Sequence, residues 1–282
     1  MLPLHKIIWH EWREKRDPVR IPEPSEAMED MEQIRSYVKA YEWGGPTSAL
    51  QLHHLRELST MIRQGDTVLD LACGPGPLLL ELAPLYPDCK FIGADLSQPM
   101  LAVLREQADA RGLHNVEILY EDIRTLPSLR DRRVDLVITT SALHHLPDLN
   151  SLRLTFQRLE SLLRKDGGFY VFDFGLLRSP LTQKLMVAEV AKLAPTITAR
   201  DYELSLQAAF PVNEVLGLAR EHLHRPFVSQ LSSFVEFFYF LQTVPRATLP
   251  ASVDRHLASV WADLSPALKL EYLMLRKMRR HF

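Results

Sequence analysis

The spacing of apolar residues divides the chain into three stretches. Residues 1–64 carry helical spacing. Pro18, Pro22 and Pro24 break an initial segment, and Ser25 is placed to cap a helix bearing Met28, Met31, Ile34, Val38 and Tyr41. Gly44-Gly45-Pro46 ends that helix, and a second runs through Leu52, Leu55, Leu58 and Ile62 to stop at Gly65. From residue 65 to about 176 the pattern changes. Short continuous apolar runs at 67–72, 90–94, 116–120, 134–139 and 168–174 read as strands. The segments at 77–85, 99–111 and 149–163 have helix length. Beyond 177 helical spacing returns, interrupted by an aromatic strand pair near 226–242. There is no internal repeat and no low-complexity tract.

Strands that are apolar throughout are buried on both faces. Their alternation with helices predicts an α/β fold, a Rossmann-like mostly parallel sheet with helices on both sides. Ligands of such sheets sit beyond the carboxyl ends of the strands. The residues that directly follow each strand are therefore the candidates for chemistry.

The first strand runs into Asp70-Leu71-Ala72-Cys73-Gly74-Pro75-Gly76-Pro77. Glycines permit a sharp turn and close approach of a ligand to the main chain, and the next helix presents free N–H groups there. A tight turn with no ligand is the competing reading of this segment alone. The second strand ends in Gly93-Ala94-Asp95-Leu96-Ser97. Asp95 lies about 20 residues past the glycine turn, where a carboxylate accepts from ribose hydroxyls. Ser97 and Pro99 can cap the next helix, which leaves Asp95 freer for a ligand. The third strand ends in Glu121-Asp122-Ile123, a carboxylate for an adenine amino group beside an apolar side chain for its ring. The fourth ends in Thr139-Thr140-Ser141-Ala142-Leu143-His144-His145-Leu146-Pro147-Asp148. Histidines at this edge suit proton handling near neutral pH. Sequence neighbours point in different directions, so at most one of His144 and His145 is expected to face a substrate. Four such signals, in order at one edge, weigh more than any one of them.

Composition narrows the choice. The 282 residues make one large domain, or one domain with an appendage, of ordinary globular composition at 46% hydrophobic and 24% charged. A net charge of −2 argues against a broad basic surface for nucleic acid. Two cysteines build no disulfide framework and point to a reducing compartment. The start lacks the long apolar stretch of a secretion signal, and no apolar run is long enough for a membrane span, so a cytoplasmic chain is expected. Leu79 stands where a dinucleotide site needs its third glycine, and no Gly-x-x-x-x-Gly-Lys-Ser/Thr loop occurs. The ligand therefore reads as adenosine without a phosphate chain. Asp70, Asp95 and Asp122 around it favour positive charge. S-adenosylmethionine (SAM), a sulfonium, fits that description.

Together with Leu163-Arg164-Lys165-Asp166-Gly167-Gly168, these segments closely resemble the class I SAM-dependent methyltransferases, best the branch that acts on small molecules. The resemblance covers residues 65–176 and extends through 226–242. It implies a seven-stranded sheet whose last strand is antiparallel. It implies that Gly74 and Gly76 lie against the methionine part of SAM, with Asp70 supporting that loop. Asp95 would hold the ribose hydroxyls, Leu96 and Met100 would lie near the adenine, and Asp122 and Ile123 would hold its edge. Thr139 to Ser141 would line the sulfonium side, and Leu78 replaces the third glycine often seen in the first motif. Members that methylate amino groups of bases carry Asn/Asp-Pro-Pro-Tyr after strand four, where this chain has Thr139-Thr140-Ser141-Ala142. A small-molecule acceptor, with no nucleic acid, is expected.

The stretches then become an N-terminal helical segment closing the site (1–64), a methyltransferase domain (65–242) and a C-terminal helical extension (243–282). A substrate-covering insertion is expected at 177–225. Tyr41, just before the Gly44-Gly45 hinge, and Tyr202 in the insertion are candidate substrate contacts, against the competing reading of ordinary packed helices. The expected chemistry is metal-independent methyl transfer to an oxygen, a nitrogen or a carbon of a small molecule. His144 or His145 would act as base for a hydroxyl acceptor. One alternative is SAM binding without methyl transfer, as in a cyclase or a silent partner subunit. The other is a macromolecular methyltransferase using the basic helix from Ser265-Pro266, which sets Leu268, Leu270, Leu273, Met274 and Met278 beside Lys269, Arg276, Lys277, Arg279 and Arg280. Packing onto the domain, or onto a second copy as a homodimer, is the reading adopted for that helix. Phe234, Phe237, Phe238, Tyr239 and Phe240 are expected in a buried edge hairpin.

Overall fold

A computed structural model describes residues 4–15, 17–192, 195–277 and 279–281. Three helices, α1 (Leu4–Arg13), α2 (Met31–Ala40) and α3 (Ser48–Ser59), precede the sheet. Strands and helices then alternate through β1 (Thr67–Leu71), α4 (Pro77–Leu85), β2 (Lys90–Asp95), α5 (Gln98–Ala110), β3 (Val116–Tyr120), β4 (Val134–Thr140), α6 (Leu149–Leu162) and β5 (Leu163–Phe174). Three helices follow, α7 (Pro180–Val190), α8 (Thr196–Ala208) and α9 (Val212–His222). The hairpin of β6 (Phe227–Ser232) and β7 (Phe238–Thr243) comes next, then α10 (Ala251–Asp263), α11 (Pro266–Lys277) and β8 (Arg279–His281).

The strands lie in the order β3-β2-β1-β4-β5-β7-β6-β8. β3, β2, β1, β4 and β5 are mutually parallel, while β7 runs antiparallel to β5 and β6. This is the Rossmann-like sheet, with one strand more than expected. The surplus strand is β8, which pairs Arg279, Arg280 and His281 with Ser232, Leu231 and Gln230. Arg279 and Arg280 therefore leave the expected basic helix and close the sheet edge instead. Met278 lies outside the described residues. The hairpin is consequently one strand inside that edge.

Side chains alternate across the strands, so each face buries its own core. On one face Val68, Phe91, Leu136, Ile138, Tyr170, Phe172 and Phe240 pack under α3, α4 and α5 and, at the edge of that layer, α10 and α11. On the other Leu69, Ile92, Val137, Phe169, Val171 and Leu241 pack under α6 and α9. Leu268, Tyr272 and Leu275 of α11 turn toward the first core, which leaves Leu270 and Leu273 exposed, contrary to their expected place on the packed stripe. A third, small cluster of Ile7, Leu177, Met186 and Leu206 joins α1, α7 and α8 above the carboxyl ends of the strands.

Local chemistry sets the element starts. Ser97 caps α5 by accepting from Met100 N, and Asp148 caps α6 by accepting from Ser151 N at 2.7 Å. Asp30, not Ser25, caps α2, accepting from Gln33 N at 2.8 Å. Ser25 instead makes a local turn with Ala27. Asp30 directly precedes the first helical residue, so its carboxylate reaches the N–H of the third, whereas Ser25 lies six residues before the helix begins. Residues 17–30 are left as an irregular strap.

Candidate active site

A cleft opens at the carboxyl ends of β1, β2, β3 and β4. Ala72, Gly74, Asp95, Leu96, Met100, Asp122, Ile123, Ser141 and Ala142 form its floor and walls, and Met28, Tyr37 and His145 close it. Two of the lining loops hold backbone in the left-handed region at residues with side chains, Ala72 at φ 55° and Ser141 at φ 51°. Non-glycine residues adopt this conformation only where the surroundings enforce it, and such strain gathers at ligand sites. Gly74 (φ 55°) lies in the same turn, and a Cβ there would stand 3.3 Å from Met100 Sδ. Gly76 (φ 70°) faces away from the cleft, because a Cβ on it would run into Leu104 at 2.3 Å.

Asp95 joins two of the loops. Its Oδ2 accepts from Gly74 N and its Oδ1 from Ser97 N, both at 2.7 Å. Burial raises its pKa against those bonds. The sequence expectation left this carboxylate free, whereas it braces the glycine turn as well as lining the cleft. Asp70 sits behind it, 3% exposed, and burial together with the Asp95 charge pushes its carboxyl well above the usual range. Asp122 reaches the cleft, but its carboxylate receives the Arg124 side chain and backbone N–H, and Arg124 also pairs with Glu26. Those bonds hold the Asp122 pKa down despite burial. Most of the Asp122 acceptor capacity expected for an adenine amino group is therefore taken. Ile123 remains on the wall as an apolar surface.

The two histidines separate in role. His144 is 3% exposed, and its Nδ1 lies 2.7 Å from Asp173 Oδ1 at the end of β5. Asp173 also accepts from the backbone N–H groups of Ala142, His144 and Phe174, and these contacts with His144 hold its pKa down although it is wholly buried. His145 lines the cleft, with Nδ1 3.2 Å from Glu23 Oε2. Burial works to lower the His145 pKa, but the Glu23 carboxylate outweighs it and raises it. Glu23 belongs to the strap. The strap is pinned by Arg20, whose guanidinium donates to the carbonyls of Ala208, Pro147, His144 and Leu146 and lies 3.8 Å from the Phe210 ring. Ile21 N donates to Gln207 O, and Ser97 Oγ donates to Met28 O.

A family profile described as "Methyltransferase domain" matches residues 62–209, just over half of the chain. The chain belongs to this family. Its domain is a SAM-dependent methyltransferase domain, with SAM as cofactor. The chain is 32% identical over 111 residues to the demethylmenaquinone methyltransferase of Geobacillus stearothermophilus, which is 39% of this chain and 45% of that protein. It is 26% identical over 119 residues to the (S)-tetrahydroprotoberberine N-methyltransferase of Eschscholzia californica, 42% of this chain and 33% of that protein. The matches thus span less than half the length of either relative. Among solved structures, the plantazolicin methyltransferase BamL with a substrate analogue and S-adenosylhomocysteine superposes with a TM-score of 0.57, covering 84% of this chain and 86% of that one at 14% identity. At that identity the likeness concerns the fold.

The methyltransferase cleft suits SAM. Among the described residues its lining holds the carboxylates of Glu26, Asp95 and Asp122 and no lysine or arginine, a setting for a cation and not for a phosphate chain. Leu96, Met100 and Ile123 supply apolar surface for a flat ring, and the Gly74 turn leaves the main chain open to approach. Several expected contacts lie elsewhere. Asp70 and Gly76 sit behind the lining, and Thr139 is buried in the sheet, its hydroxyl without a partner. Tyr41 stacks against Tyr37 at 4.8 Å and borders a neighbouring groove, while Tyr37 is the one of the pair on the cleft wall. Tyr202 packs in the cluster around Phe174 and Leu177, where burial raises its pKa. The sequence reading passed over Arg20, Glu23 and Asp173. Asp173 follows from the strand-end rule, had it been carried on to β5.

Asp70 gives a direct test of the site's charge. Its folded pKa lies above the unfolded value, so the stability it contributes is present at low pH and lost as pH rises through the raised pKa. Asp70→Asn removes that penalty. The ligand-free variant is expected to melt a few degrees higher at neutral pH, about 1–2 kcal/mol of stabilisation. The gain should shrink in acid, and SAM affinity should fall roughly tenfold for loss of one favourable charge. Thermal melts across pH and calorimetric SAM titration check both.

Proposed function

We propose that this protein transfers the methyl group of SAM to an oxygen, a nitrogen or a carbon of a small molecule held beneath the residue 17–30 strap. The observation that carries this reading is the closure of the cleft. The strap crosses it on the acceptor side, bonded to Ala208, Gln207 and the loop after β4, and lines it with Glu26, Ala27 and Met28, a narrowing that favours a small acceptor over a polymer. The curated relatives named above, an alkaloid N-methyltransferase and a demethylmenaquinone methyltransferase, support the same class of acceptor. The buried free thiols of Cys73 and Cys89 support a reducing, cytoplasmic setting.

When bound, SAM supplies an electrophilic methyl on a positively charged sulfur. The chain's part is to hold, orient and dry the reactants. Asp95 would accept from the ribose hydroxyls, Leu96, Met100 and Ile123 would hold the adenine, and Gly74 would admit the amino-acid tail close to the main chain. Asp70 and Asp95 would favour the positive charge. Tyr37, Ser141 and His145 would flank the acceptor, and the Glu23, His144 and His145 cluster is where an acceptor hydroxyl gives up its proton. Alignment in a water-poor pocket supplies much of the rate in such a transfer. Incubation with methyl-labelled SAM and extract of the producing cells should place label in small molecules, read by mass spectrometry. Label confined to RNA or protein, or no transfer at all despite SAM binding, would sink the reading.

A further inference from the structure

The acceptor end gathers Glu23, His144, His145 and Asp173 within contact distance of one another. Asp173 accepts three backbone N–H bonds, and its Oδ1 lies 2.7 Å from His144 Nδ1, which fixes that ring. His144 Nε2 lies 3.8 Å from Glu23 Oε1, in a site that is 3% and 13% exposed at the two side chains. Glu23 Oε2 lies 3.2 Å from His145 Nδ1. Among the described residues no lysine or arginine pairs with Glu23 or Asp173, and the nearby Arg20 guanidinium is taken up by four main-chain carbonyls. Two carboxylates and two imidazoles thus converge at one point of the acceptor end.

The three donor atoms lie within 4.8 Å of one another. Nitrogen and oxygen ligands at about 2.0–2.2 Å from a tetrahedral zinc stand about 3.3 Å apart. His145 Nδ1 stands 3.2 Å from Glu23 Oε2 and His144 Nε2 3.8 Å from the other oxygen, Oε1, so small side-chain shifts bring the three donors to that spacing. Asp173 also occupies the place a metal site requires of its supporting shell, since a ligating histidine commonly donates its other N–H to a carboxylate.

We propose that Glu23, His144 and His145 bind one divalent transition-metal ion of the zinc class, with Asp173 fixing the His144 ring behind it. Two histidines and one carboxylate leave at least one coordination position open, and His145 lines the cleft, so that position faces the acceptor. Glu23 is the ligand brought by the strap, which makes metal binding and strap closure one event. The ion's role in the reaction rests on the proposed methyl transfer: when bound it would take over the part of a base at this cluster, holding the acceptor heteroatom and acidifying it, the released proton going to water and not to the ligating histidines. Binding itself does not depend on that reading.

The test uses the full chain, stripped by a chelator and titrated with zinc chloride alone in a calorimeter. One equivalent should bind with a dissociation constant at or below about 1 μM, within the range of three-ligand protein sites. Cobalt should give a visible absorption band of low-coordinate geometry. Glu23→Gln and His145→Gln should each weaken binding at least ~100-fold, and Asp173→Asn roughly tenfold, while circular dichroism shows the variants folded. Absence of stoichiometric binding, or binding undiminished in both ligand variants, overturns the site. SAM titration and methyl transfer are read separately. SAM binding and transfer without zinc binding remove this inference alone, whereas zinc binding without transfer removes the proposed function and leaves the metal site.

Discussion

Asp95→Ala is expected to weaken SAM binding by about 100-fold while lowering the melting temperature only slightly. Two charge-assisted hydrogen bonds to ribose hydroxyls are worth roughly 1.5 kcal/mol or more each, which sums to about two powers of ten in affinity. The stability change is smaller because two effects oppose each other. Alanine leaves the N–H groups of Gly74 and Ser97 without their 2.7 Å acceptor, and each such loss costs about 1–3 kcal/mol where the group is buried. It also removes a carboxylate whose burial is unfavourable enough to raise its pKa. Asp95→Asn separates the parts, since it retains one acceptor for the loops but offers the ribose a neutral group. Calorimetry on both variants, with thermal melts alongside, makes the comparison. Undiminished SAM affinity in Asp95→Ala would remove the ribose assignment.

The central sheet was readable because its signal is local. The runs at 67–72, 90–94 and 134–139 are buried on both faces almost throughout, while 116–120, at the sheet edge, alternates, and α4 spans the same 77–85 that its apolar run and leading Pro77 mark out. β8 was not readable. Arg279, Arg280 and His281 have no strand pattern of their own, and their pairing with β6 is settled by an open sheet edge 47 or more residues away. The error at Ser25 has a similar root. Serine and aspartate both cap helices well, and only the observed start of α2 decides for Asp30.

In the site, the residues that follow β1 to β4 were legible as positions but not as bonds. Gly74, Asp95, Leu96, Met100, Ile123 and Ser141 do line the cleft. That Asp122 is engaged by Arg124, and that His144 turns to Asp173 while His145 turns to Glu23, depends on contacts between separate loops. The adjacent histidines were expected to diverge, but spacing does not say which one faces inward. The strap was the most hidden element. Residues 17–24 carry three prolines and no hydrophobic period, so Arg20 and Glu23 look like ordinary surface charges until the fold brings residues 144–147 and 205–210 beside them.

Arg20→Ala is expected to release that strap. The wild-type guanidinium donates to four carbonyls at 2.5–2.9 Å and covers the Phe210 ring. Hydrogen bonds from a charged group contribute about 1.5–3 kcal/mol each in isolation, but four on one side chain are not additive, so a net loss of about 3 kcal/mol is expected. In a domain of this size that lowers the melting temperature by roughly 6–10 °C. Because Glu23 lies three residues farther along the same strap and Glu26 to Met28 line the cleft, KM should rise for the acceptor and for SAM together. Limited proteolysis should cut the variant between residues 17 and 30 while the wild type resists. Arg20→Lys should rescue little, since an ammonium has neither the planar face for Phe210 nor the fork that reaches carbonyls from two separate segments. An unchanged melt together with an unchanged cleavage pattern would mean that the strap is held by its Ile21 and Met28 main-chain bonds instead, and that Arg20 is not the anchor.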